Sequence, residues 1–173
     1  AGVRPFASAL TGSVDAGGGL LLRPLAAGDL GAIAAMLADP EIARWYDSDV
    51  GEIESLLGHP FVTPFLAVLD GAPAGYLQAY HANRDDFWPD FGVPAETFGL
   101  DMFLARRGEG LGVRLARAMA AHLFGMERVV RVQIDPDPDN RRAVRAYEKA
   151  GFVPRGIMPG YDGATMHYMT IDR

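Results

Sequence analysis

The chain contains no cysteine. It therefore has no disulfide framework, no thiolate zinc site and no thiol nucleophile, so any group transfer it performs runs without a cysteinyl intermediate. Lysine is almost as scarce. Lys149 is the only one, and the rest of the sixteen basic residues are arginines, whose planar fork suits phosphate and carboxylate. No apolar run approaches the roughly 18 residues that cross a bilayer, and the first residues lack the basic-then-apolar build of a signal peptide; a soluble, cytoplasmic protein is expected. The histidines His59, His81, His122 and His167 stand at no metal-ligand spacing, so no metal is expected. Positive charge is also in deficit: twenty-two acidic residues give a formal charge of −6, which argues against nucleic acid and for cationic partners.

What is present is a chain of 173 residues, 49% of them apolar, enough for one domain with a sizeable core. Residues 1–18 show no sustained period and run into Gly17-Gly18-Gly19, reading as an N-terminal arm that packs on the domain or on a second subunit; residues 19–173 read as a single domain. From Leu20 the pattern is regular. A strand at Leu20–Leu25 precedes a helix capped by Asp29 and limited by Pro40, then a short helix over Val50–Leu57. Two strands, Phe65–Leu69 and Ala74–Tyr80, join as a hairpin at Asp70-Gly71. A polar and aromatic loop, His81–Ala95, holds Phe87, Trp88 and Phe91, which read either as a mini-core or as a lid. A strand at Thr97–Leu104 leads through a glycine turn into a helix with the stripe Leu111, Leu115, Met119, His122; on that stripe His122 reads as a core or edge residue. A strand at Val129–Ile134, a helix from a cap at Asp139 to Lys149, and strands at Phe152–Met158 and Thr165–Ile171 complete a mixed α/β pattern without repeats.

Two segments carry chemistry. In Arg107-Gly108-Glu109-Gly110-Leu111-Gly112, glycines let backbone N–H groups converge at the start of a helix, whose dipole adds positive potential for a pyrophosphate, and Arg106, Arg107 and Arg114 reinforce it. The same residues also suit a plain tight loop with exposed arginines. The turn is not a Walker loop, since no Gly-Lys-Ser/Thr follows, and it does not match G-x-G-x-x-G. The second segment, Asp139 to Phe152, places Asn140 at a helix start, Ala143 on the same face at i+3 and Tyr147 at i+7, where a phenol can donate a proton to a leaving group. Taken singly, Asn140 also reads as a helix-start residue, Ala143 as filler and Tyr147 as a core tyrosine.

Together the two segments resemble the GNAT N-acetyltransferase superfamily. Arg107, Gly110 and Gly112 match its Arg/Gln-x-x-Gly-x-Gly/Ala motif for CoA pyrophosphate, and Asn140, Ala143, Tyr147, Glu148, Gly151 and Phe152 match its Asn-x-x-Ala-x-x-x-Tyr-Glu-x-x-Gly-Phe run. Within it, Val62–Phe65, Asp70–Tyr80, Gly99–Asp101 and Gln133–Asn140 are similar to the aminoglycoside 6′-N-acetyltransferases, whereas the loop His81–Glu96 departs from them. The resemblance covers about Leu20 to the end. It implies a GNAT fold, a central mixed, mostly antiparallel sheet of about seven strands flanked by about four helices, and acetyl-CoA as cosubstrate. Met102, Phe103, Arg106, Arg107, Gly108, Gly110, Gly112, Asn140 and Ala143 would hold the cofactor. Asp101 would act near the attacking amine, and Trp45, Tyr46, Asp135 and Asp162 would line the acceptor site with it.

The placement of charge agrees with a bisubstrate enzyme. Residues 39–54 hold Asp39, Glu41, Asp47, Asp49, Glu52 and Glu54 against Arg44, and residues 85–101 hold Asp85, Asp86, Asp90, Glu96 and Asp101 with no base; residues 102–131 are arginine-rich. Acidic loops of this kind also serve solubility alone. An alkyl ammonium must lose a proton before attacking a thioester, so Asp101 is the expected base, Met102 and Phe103 N–H groups the oxyanion donors, and Tyr147 the acid. The expected reaction is acetylation of a polycationic aminoglycoside by direct attack in a ternary complex. Acylation of another small polyamine or a hydroxylysine-type siderophore precursor, peptide N-acetylation, and a non-catalytic CoA-binding domain are the alternatives; a homodimer is compatible with the arm and the C-terminal strands.

Overall fold

The computed structural model describes residues 10–173, so half of the expected arm lies outside the described residues. The chain divides into two compact units, one of Ala1–Tyr80 with Met102–Glu109 and one of His81–Asp101 with Gly110–Arg173.

The first unit is built on antiparallel strands β1 (Val14–Gly17), β2 (Leu20–Pro24), β3 (Val62–Leu69) and β4 (Ala72–His81), neighbours in that order. β1 belongs to the stretch read as an arm. Four residues are too few to display alternation, and the glycines into which the arm runs are a hairpin turn, with φ of 78°, 57° and 80° at Gly17, Gly18 and Gly19. Asp70 and Gly71, both at positive φ, turn β3 into β4 as the sequence predicts. Three short helices pack on this unit: α1 (Leu30–Leu37), α2 (Pro40–Ala43) and α3 (Val50–Glu54). They bury Ile33, Met36, Ile42 and Ile53 against Leu66, Tyr76 and Phe103. Asp29 does not cap α1 as expected. Its carboxylate is turned back to the Ala26 N–H and to both terminal nitrogens of Arg23, at 2.7 Å each, closing the turn before the helix. Asp39 and Asp49 are the side-chain caps here, for α2 and α3.

Strand β5 (Thr97–Leu104) contributes to both units, its residues to Asp101 in the second and from Met102 in the first. In the first, Ala105 N–H donates to Ala74 O, and Gly75 lies so close that a Cβ there would stand 2.7 Å from the Phe103 carbonyl. In the second, β5 runs parallel to β6 (Arg131–Ile134), which pairs antiparallel with β8 (Thr165–Asp172), and β8 with β7 (Val153–Pro159). A parallel pair needs a crossover, supplied by helix α5 (Leu111–Phe124), whose buried row Leu111, Leu115, Met119 ends on Leu123 while His122 is half-exposed at its edge. The expected loop contains one helical turn, α4 (Trp88–Phe91), whose Trp88 and Phe91 pack on the Tyr168 ring as a mini-core. Helix α6 (Arg141–Ala150) is capped not by Asp139 but by Asn140. In its last turn Lys149 is exposed, with its carbonyl accepting from Arg117. Among the described residues there are eight strands where about seven are expected, β1 being the addition.

Candidate functional site

The turn from β5 into α5 has the conformation its glycines predict. Gly108 and Gly110 take φ of 82° and 66°, and Gly110 is the residue from which α5 starts. The first N–H groups of a fourteen-residue helix have no partner within the helix, so they and its dipole favour an anion. Gly112 is buried in that first turn, and Arg114 N–H begins the ladder by donating to Gly110 O. Arg106 and Arg107 are exposed and held by carboxylates: Arg106 by Glu109 at 2.7 Å and Arg107 by Asp39 at 3.0 Å. In the second unit Gly110 and the start of α5 offer N–H groups suited to an anion, and in the first unit Arg106 and Arg107 offer guanidinium donors suited to phosphate.

In the second unit, β5 and β6 pair Gly99 with Gln133; Asp101 stands two residues further along β5, and Asp135 follows the last residue of β6. A period of two puts Asp101 on the face of Gly99. The charges of Asp101 and Asp135 interact. Burial first, then the Asp101 charge and more weakly that of Asp85, raises the Asp135 carboxyl well above the ordinary aspartate range. The same two aspartates act on Tyr147. Its phenol is raised far above the usual tyrosine value by burial and then by Asp101 and Asp135, which favours the protonated form.

Why Tyr147 stands there is written in the run around it. Asn140 accepts from Ala143 N–H through its side-chain oxygen at 3.3 Å and starts α6. Gly151, at φ 107°, ends the helix; its N–H closes on Glu148 O, and Phe152 N–H closes on Tyr147 O at 3.0 Å. The Phe152 ring then meets the Tyr147 ring edge-on at 6.3 Å. Glycine and phenylalanine in this motif therefore hold the tyrosine, while Asn140 acts as the cap that one reading of the sequence anticipated.

The remaining expected residues divide by unit. In the first, Trp45 carries the Arg44 guanidinium on its ring at 4.6 Å, and Tyr46 packs edge-on against Phe103 at 4.8 Å, with the Phe103 ring stacked on Tyr76. Met102 is half-buried and Phe103 buried. In the second, Asp162 is exposed in the turn Tyr161–Gly163 with φ of 53°, and Tyr161 meets Phe87 edge-on. Three features escaped the sequence reading. Asp85 reaches Asp135 through its charge, His81 joins Glu96 at 3.3 Å with Arg128 on the same carboxylate, and Asp39 holds Arg107. Burial lowers the His81 pKa against the pull of Glu96. Asp85, Asp39 and Glu96 had a legible signal in their place in the acidic stretches, but their partners had none. Among the described residues no cluster of His, Asp or Glu is arranged to hold a metal ion, and no helix is long and apolar enough to cross a membrane.

Comparison with known proteins places this geometry. Residues 26–158 match the model of the acetyltransferase (GNAT) domain. The chain is 35% identical over 175 residues to the aminoglycoside N(6′)-acetyltransferase type 1 of Klebsiella pneumoniae, covering 92% of this chain and 85% of that one. It is 43% identical over 88 residues to a kanamycin resistance protein of Rhizobium radiobacter, covering 49% of this chain and 81% of that one. Among solved structures, the aminoglycoside acetyltransferase AAC(6′)-Ib in complex with coenzyme A and kanamycin superposes with a TM-score of 0.80 at 36% identity, over 89% of this chain and 95% of its own.

Proposed function

This chain belongs to the GNAT acetyltransferase family, and from that premise we propose that it transfers the acetyl group of acetyl-CoA to the 6′-amine of an aminoglycoside by direct attack in a ternary complex. The observation that carries the reading is the group Asp101, Asp135 and Tyr147: two carboxylates whose charges reach each other, beside a buried phenol that keeps its proton. The acceptor identity comes from the likeness to the aminoglycoside acetyltransferases, one of them solved with coenzyme A and kanamycin. Residues 19–173 act as one acetyltransferase domain, to whose sheet β1 of the preceding stretch adds a strand, in the cytoplasm.

Asp101 takes the proton that the acceptor ammonium must lose before its nitrogen can attack. Asp135, with Asp162 and Trp45, holds the remaining ammonium groups of a polycation. An incoming ammonium also offsets the repulsion that raises Asp135, so binding favours the ionised form of Asp135. Backbone N–H groups of Met102 and Phe103 carry the oxyanion, and the Tyr147 hydroxyl hydrogen-bonds to the departing sulfur. Arg106 and Arg107, with Gly108, Gly110 and Gly112, hold the pyrophosphate, and Asn140 and Ala143 line the same cofactor. Bound there, acetyl-CoA supplies the activated acyl group.

The test is CoA release with aminoglycosides, polyamines, hydroxylysine and peptides as acceptors. Turnover is expected with compounds carrying a 6′-amine and lost when a 6′-hydroxyl replaces it; no turnover on any aminoglycoside overturns the reading. Asp101→Asn is expected to lower kcat about 10²-fold or more, the reach of a positioned base.

A further inference from the structure

The acidic stretch 39–54 reads as an acceptor-side feature, yet its first member faces the other substrate. Asp39 divides its carboxylate: Oδ1 accepts the Glu41 N–H at 2.9 Å and caps α2, while Oδ2 accepts from Arg107 Nη2 at 3.0 Å, across 68 residues of sequence. Both contacts favour the ionised carboxylate and hold its pKa below the usual range. The post on which Arg107 rests is stiff. Pro40 fixes the backbone immediately after Asp39, and Ile42 is buried in the core of the same unit. Arg106 differs, because its partner Glu109 stands three residues away within the turn and moves with it. A guanidinium has five N–H donors in one plane, so one contact to Asp39 is compatible with a forked contact to phosphate from another edge.

We propose that Asp39 is a positioning residue for the cofactor: it holds the Arg107 guanidinium in the orientation that receives the pyrophosphate of acetyl-CoA. This rests on the reading of Arg107 as a pyrophosphate ligand. The opposite arrangement, in which the carboxylate competes with phosphate for Arg107, predicts the reverse sign.

The experiment compares Asp39→Asn, Arg107→Gln and the double variant. Asparagine is as good a helix cap as aspartate, so Asp39→Asn removes the charge and keeps α2. Expected for Asp39→Asn is a rise in KM for acetyl-CoA of about 2–5-fold, the reach of an exposed ion pair, with kcat, acceptor KM and Tm held. That rise is expected to shrink at high salt, which a merely structural defect would not do. The double variant is expected to be no worse than Arg107→Gln alone. An acetyl-CoA KM that stays the same or falls in Asp39→Asn, while Arg107→Gln raises it, overturns the positioning role and leaves the Arg107 reading intact. An unchanged KM in Arg107→Gln overturns both.

Discussion

A carboxyl pushed above its usual range by burial and by a neighbouring Asp101, as that of Asp135 is, keeps its proton to a higher pH than an exposed one. In the unfolded chain it ionises near pH ~4. Between that value and its higher folded value the folded state binds more protons, so this group makes stability fall as pH rises through the window. Asp135→Asn should therefore raise Tm at pH 7, by about 2–4 °C for each kcal/mol recovered in a chain of this size. It should also flatten the dependence of Tm on pH above pH ~4, and acceptor turnover should fall in the same variant; melting curves across pH with a parallel assay check both. Tyr147 carries its proton throughout, since its pKa is raised, so no limb of the pH–rate profile below pH ~10 belongs to it. Tyr147→Phe should lower kcat about 10–100-fold with acetyl-CoA KM unchanged, and a shifted alkaline limb in that variant would contradict the assignment. At this scale the spacing Asn140, Ala143, Tyr147 was legible because one helix carries all three. The mutual effect of Asp101 and Asp135 was not legible from local spacing, although the resemblance placed both at the acceptor site, because nothing in the spacing links β5 to the residue after β6.

Elements were legible in proportion to their length. The long stripe of α5 and the strands β3, β4 and β5 repeat their period often enough to stand out, whereas β1 and α4 span four residues each and show no period at all. Two caps, Asp29 and Asp139, were misread for a related reason: an aspartate before a helix does not show in the sequence what its carboxylate holds. Asp29 and Asp39 have the same side chain before a helix, and only the tertiary partner, Arg23 or Arg107, distinguishes what each carboxylate does. Gly75 is a constraint that no periodicity reveals. A methyl group there would meet the Phe103 carbonyl at 2.7 Å and the Leu104 side chain at 3.0 Å, so β4 and β5 would have to separate within the first unit. Gly75→Ala is expected to destabilise by about 1–3 kcal/mol, the cost of overpacking a tight contact, read as a lower urea midpoint. It should also lower kcat, because Met102 and Phe103 would shift with the strand.

For the whole molecule, the split of charge along the sequence is a poor guide to individual residues. Several acidic residues are engaged locally: Asp39 with Arg107, Glu96 with Arg128 and His81, Asp49 and Glu52 with each other's backbone. The net of −6 stays on the surface as a field, which draws a polycation and weakens with salt. Raising ionic strength from about 0.05 to 0.5 M should increase KM for a tetra-amine acceptor more steeply than for a monoamine, by steady-state kinetics across salt. Lys149 turns the scarcity of lysine into a practical property. Two residues beyond Tyr147 on α6 and about 200° around the helix from it, Lys149 is exposed while Tyr147 is buried. An enzyme that handles amines and acyl donors thus presents one side-chain amine of its own to modification, and an amine-reactive fluorophore has a single side-chain address, on the back of the helix that carries Asn140, Ala143 and Tyr147.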